Sequence, residues 1–106
     1  MAYAVIFAAL GDSTRHEIFE RLRRGPQTVS GLAAGLPVSR PAISQHLKVL
    51  RQAGLVAIQA DGTRRLYRID ACGLCGLKDY LQAVWSEAVA AHEAEIARQM
   101  EERRYG

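Results

Sequence analysis

Between Ser39 and Leu50 the chain carries Arg40, Ser44, Gln45 and Lys48 on the polar side of one helical period. Guanidinium and ammonium groups pair with phosphate oxygens, and a glutamine carboxamide offers the donor and acceptor that match an adenine edge. Gln45 is therefore a candidate base reader, and Arg40 a candidate for a guanine edge or a phosphate. Thr14, Arg15, Ser39 and Lys48 are candidates for phosphate contact, and Arg64 and Arg65 add a second cationic group. His46 has two readings, a half-buried histidine holding a backbone or phosphate hydrogen bond or a base reader, while His16 reads as a solvated flank residue. Cys72 and Cys75 form Cys-x-x-Cys. They are a redox or soft-metal pair or two small residues with no such role, and a thioredoxin-like reading lacks its βαβ context. No Ser/His/Asp set, paired carboxylates or phosphate-cradling loop can be assembled, so the reading is not an enzyme.

The 106 residues suffice for one domain, and the apolar and charged fractions of 49% and 24% are those of a globular chain. No apolar run reaches the roughly 18 residues of a membrane span. The apolar stretch Ala2 to Leu10 has no basic region before it, which argues against a secretory leader. The expectation is a soluble, cytoplasmic protein, and two cysteines make no disulfide framework. The net charge of +3 divides unevenly, with +5 over residues 1–70 and −2 over residues 71–106. A cationic head with a separate tail suits a polyanion partner.

Those side chains need elements to position them. Asp12 or Ser13 can cap a helix whose apolar stripe is Ile18, Phe19 and Leu22, and Gly25-Pro26 ends it. Thr28 can cap a short helix carrying Val29, Leu32 and Ala33 up to Gly35. Ser39 is the next cap, Pro41 sits harmlessly in the first turn, and Gly54 stops the helix. Ile43, Leu47 and Leu50 lie within about 60° of one another and form its buried face. The period then falls to 2 through Val56 and Ile58, and Leu66 to Ile69 reads as a returning strand with Asp61-Gly62 as the hairpin turn. From Asp70 to about Arg104 the helical period resumes over a rod of about 45 Å. Leu74, Leu77, Leu81, Val84, Ala88 and Ala91 make a heptad seam suited to a partner helix. Trp85, Val89 and Ile96 widen that stripe enough to take the segment Tyr3 to Leu10 as well. A single core helix of a monomer is the other reading.

The predicted fold is mainly α with a small β-hairpin wing, in the order ααααββα. One winged helix-turn-helix domain spans 1–106, with dimerisation helices at 1–10 and 70–104, the helix-turn-helix at 28–54 and the wing at 55–69. Four stretches carry a family likeness: Leu10-Gly-Asp-Ser-Thr-Arg15, Leu36-Pro-Val-Ser-Arg-Pro-Ala-Ile-Ser-Gln-His-Leu-Lys-Val-Leu50, Arg51-Gln-Ala-Gly-Leu55 and Asp61-Gly-Thr-Arg-Arg-Leu-Tyr-Arg68. They resemble the ArsR/SmtB family of winged helix-turn-helix repressors. The resemblance implies a homodimer that binds an inverted-repeat operator in double-stranded DNA and represses. It also implies a wing whose Arg64 and Arg65 enter or straddle the minor groove, and release by a metal ion or an oxidant. A dimeric protein-interaction module that binds no DNA is the alternative.

The resemblance also bears on effectors. The family's Cys-x-Cys metal site falls on Thr28 and Ser30, neither a soft ligand, so that site is absent. A second family site, on the last helix and shared across the dimer, falls on Asp79, Leu81, His92 and Glu95. Three of its four ligand types are present, and Leu81 replaces a histidine. A nickel or zinc effector there should bind weakly, since zinc wants four ligands. No cofactor is required for the DNA-binding reading.

Overall fold

The computed structural model describes residues 2–105; Met1, counted in the first dimerisation segment, and Gly106 lie outside them. Four helices come first: α1 (Ala2–Leu10), α2 (Ser13–Leu22), α3 (Val29–Gly35) and α4 (Arg40–Gln52). The antiparallel hairpin β1 (Val56–Asp61) and β2 (Arg64–Ile69) follows, then a 3-10 turn at Ala71–Leu74 and the long α5 (Cys75–Tyr105). The order ααααββα is the one expected, with the short 3-10 turn inserted before α5.

Each start of α2, α3 and α4 is chemically marked. The side chains of Asp12, Thr28 and Ser39 accept hydrogen bonds from the backbone N–H groups of Arg15, Gly31 and Ala42. These bonds satisfy donors that a helix leaves unpaired in its first turn. Gly54, with φ +80°, follows α4 where a side chain would be strained. The core is then the sum of the stripes: Ile18 and Leu22 from α2, Leu32 from α3, Ile43, Leu47 and Leu50 from α4, and Leu55 and Val56 at the wing's root. Ile6 and Ala9 of α1 complete it.

Two expectations need correction. The hairpin turn is Gly62-Thr63 rather than Asp61-Gly62, because Asp61 pairs with Arg64 as the last rung of the ladder. Gly62 has φ +62° while among the described residues none other than glycine has a positive φ, which fits a turn of type II′ with glycine first. The second correction concerns α1. It packs beside α5 through Tyr80, whose ring stacks on Tyr3 at 4.3 Å and meets Phe7 edge-on at 6.2 Å. Of Trp85, Val89 and Ile96, assigned to receive α1, Trp85 and Ile96 remain 68% and 42% exposed and Val89 is half-buried. Burial of Ile6 and Ala9 in the core holds α1 on the Tyr80 flank, away from the Trp85 stripe.

Candidate nucleic-acid interface

On α4 the division between inside and outside is sharp. Ile43, Leu47 and Leu50 are fully buried, whereas Arg40, Ser44, Gln45, Lys48 and Arg51 are exposed. At 100° per residue Gln45 lies about 170° from the buried stripe, so its carboxamide projects straight away from the core. Ser39 uses an acceptor lone pair to cap the helix, at 3.3 Å from the Ala42 nitrogen, and its O–H remains available as a donor. His46 is half-buried at the edge of the stripe and near enough to Asp12 to lower that carboxyl's pKa. Its imidazole makes no hydrogen bond among the described residues.

The wing stands beside this face. Gln27, in the loop before α3, exchanges two backbone hydrogen bonds with Tyr67 of β2, at 2.9 and 2.8 Å. This isolated bridge pins the hairpin to the helix-turn-helix, and no local pattern in the sequence announces it. An open groove of about 620 Å³ results, lined by Thr28, Val29, Ser30, Ser44, Arg64, Arg65 and Tyr67. The structure thus brings Ser44 together with Arg64 and Arg65, and adds Thr28 and Ser30, which the sequence does not mark as part of this face. On the other flank Lys48 meets Arg51 in a second groove against β1.

Charge pairing separates structural cations from available ones. Arg15 donates from Nε to the Ala9 carbonyl at 2.8 Å and lies 4.0 Å from Asp12, tying the C-terminus of α1 to the start of α2. Its guanidinium thus has a structural role between the two helices. Arg21, Arg23 and Arg98 are paired with carboxylates on their own helices, as is His16 with Glu20 at 3.6 Å. Among the described residues Arg40, Lys48, Arg51 and Arg65 make no ion pair, and Arg64 is held at the hairpin tip by Asp61 at 2.7 Å.

Within one protomer the effector candidates stand apart, so a site built from them needs the partner's helix. Asp79 and His92 are thirteen residues apart on one helix, which separates them by about 20 Å. Glu95 is bonded by Arg98 and Gln99, and the Arg98 hydrogen bond, with Gln99 assisting, holds its carboxyl below the usual range. With leucine at the fourth place, the donor set does not fit a closed nickel or zinc site. Cys72 and Cys75 are both free and exposed.

A helix-turn-helix with a cationic outer face and a basic wing defines a DNA-binding transcriptional regulator rather than an enzyme. Residues 12–57 match the model of the bacterial regulatory protein arsR family. The HTH-type transcriptional regulator Rv2034 of Mycobacterium tuberculosis is 51% identical over 84 residues, which cover 79% of this chain and 78% of that one. The fold is similar to an ArsR-like transcriptional regulator from Rhodococcus sp. RHA1, with TM-score 0.70, 40% identity and coverage of 85% and 88% of the two chains. It is also similar to the homodimeric winged helix-turn-helix DNA-binding domain of Mb0332 from Mycobacterium bovis, with TM-score 0.65, 29% identity and coverage of 81% and 80%. This chain belongs to the ArsR family.

Proposed function

We propose that the chain is a repressor that binds an imperfect inverted repeat as a homodimer. The observation that carries the reading is the set of unpaired cations, Arg40, Lys48, Arg51 and Arg65, on the outer face of α4 and the wing. Left without carboxylate partners, they offer their charge to phosphates, and Gln45 projects between them toward the base edges. Two such faces, about 34 Å apart across a two-fold axis, meet successive major grooves on one side of a duplex.

The second copy docks on the heptad seam. Leu74, Leu77, Leu81, Val84, Trp85 and Ala88 line an open apolar groove of about 610 Å³ on α5, an area that water covers poorly. The homodimeric state of the Mycobacterium bovis domain favours the same arrangement here. Neither nickel nor zinc has a part in this reading, and the protein is expected to work in the cytoplasm, where the chromosome lies. Among the described residues no helix is long and apolar enough to cross a membrane.

Titration of the protein against a duplex from its own upstream region and against a scrambled duplex tests the proposal. The expected result is preference for the former, with an affinity that falls by orders of magnitude as salt rises from about 50 to about 200 mM. Absence of salt-dependent retention on any duplex would favour the protein-interaction module instead.

A further inference from the structure

Operator binding leaves Cys72 and Cys75 unused, and the fold puts them in a specific place. Cys72 is the second residue of the 3-10 turn, and Cys75 closes that turn and opens α5. In 3-10 geometry residues three apart eclipse one another at about 2.0 Å of rise per residue, so the two Cα atoms stand about 6 Å apart. That separation lies inside the roughly 4.4–6.8 Å that a disulfide spans. Both thiols are exposed, and Cys75 lies about 150° around α5 from the centre of the heptad seam, so a partner helix leaves it open.

The same turn touches the end of the recognition helix, backbone against backbone. A Cβ on Gly73 would fall on the Gly54 carbonyl, and one on Gly54 would meet the Gly73 Cα at 3.8 Å. Gly54 is the residue that terminates α4, and the next carbonyl, that of Leu55, accepts from the Asp70 N–H at 2.9 Å. No side chain cushions this contact, and close-packed backbone does not compress, so a change in the turn must move the end of α4 or the root of the wing.

We propose that Cys72 and Cys75 form a reversible intramolecular disulfide when the protein meets a hydroperoxide, and that the altered turn weakens the hold on DNA. The inference rests on the DNA-binding reading above. One thiolate attacks the peroxide: an S–O bond forms, the O–O bond breaks, and the leaving oxygen takes up a proton. The second thiol attacks the sulfenic sulfur, forming S–S and breaking S–O, and its proton departs with the oxygen as water. Each sulfur gives up one electron, the hydroperoxide takes up two, and a dithiol reductant reverses the change.

The experiment uses the whole chain, reduced and then treated with hydrogen peroxide, and reads intact mass, duplex affinity and amide hydrogen exchange. The expected outcome is loss of two hydrogen atoms, a Cys72–Cys75 cross-link in the peptide map, and binding about tenfold or more weaker, restored by dithiothreitol. Exchange at the Asp70 amide should quicken, because its bond to Leu55 spans the contact. Cys72→Ser and Cys75→Ser should each bind DNA like the reduced protein and ignore peroxide. A disulfide that leaves both affinity and Asp70 exchange unchanged overturns the inference, as does oxidation that yields only cross-linked dimers or sulfinic acid. A reduced protein that binds no duplex counts against the regulator reading alone, since mass and exchange still report the disulfide and its coupling.

Discussion

Arg15 and Arg65 carry the same guanidinium and are put to opposite uses by their surroundings. Arg15 is spent on the Ala9 carbonyl and Asp12, while Arg65 stands free on the wing. Gln45, opposite the core on α4, belongs with Arg65 among the available groups. Gln45→Ala is expected to cost about 1–3 kcal/mol on the preferred duplex and little on a scrambled one. Equal losses on both would show that Gln45 reads no base. Asp12 gives a pH prediction. The Arg15 N–H bond holds its carboxyl below the ordinary value, burial opposes this, and the charges of Arg15 and His46 assist. A carboxyl with a lowered folded-state pKa favours folding when ionised, so its contribution is full at neutral pH and fades as pH falls through the folded pKa, below about pH 4. Asp12→Asn keeps a cap oxygen but not the charge. Its stability deficit in urea melts should therefore shrink between pH 7 and pH 3, and a deficit that stays constant would contradict the assignment.

Recognition helix and wing act as separate tools because they are held differently. α4 is seated by three fully buried residues, and its orientation follows from the core. The hairpin exposes half of β2 and depends on Val56, Leu55 and the Gln27–Tyr67 bridge for its angle. Arg64 and Arg65 ride on that hairpin, and in the proposed reading they meet phosphates rather than bases. Replacing both with alanine should weaken binding to all duplexes nearly equally and lower the salt slope by about two, one for each lost phosphate contact. A loss confined to the preferred sequence would assign the wing a base-reading role. Most of these elements were legible in the sequence, since caps, apolar stripes and a glycine turn act between near neighbours. The hairpin turn was misplaced by one residue because Asp-Gly pairs suit several turn types, and only the ladder register decides among them.

The molecule extends 72 Å in one direction against 26 and 23 Å in the others, and α5 provides the length. Such a rod buries little of its own apolar surface, and Leu81, Val84 and Trp85 remain open to solvent. Leu81→Glu puts a charge at the centre of the seam without touching the core. The expected outcome is a folded monomer in sedimentation, with operator affinity reduced about a hundredfold or more because the second half-site is no longer tethered. Retention of the dimer by this variant would place the contact elsewhere.

Sequence alone was enough for the order of elements, the buried faces of α2 and α4, the caps of α3 and α4 and the family, because each rests on periodicity or on contacts within a few residues. It also carried the exposed polar face of α4, since polar spacing on a helix with a known buried stripe leaves one side for solvent or a partner. Folding in three dimensions was needed to show that Arg15 is committed to α1, that Tyr80 rather than Trp85 receives that helix, and that Gln27 anchors the wing. It was needed as well to set Gly73 against Gly54. Each of these contacts joins residues from different elements, and their meeting depends on how whole helices pack, which no short window of sequence encodes.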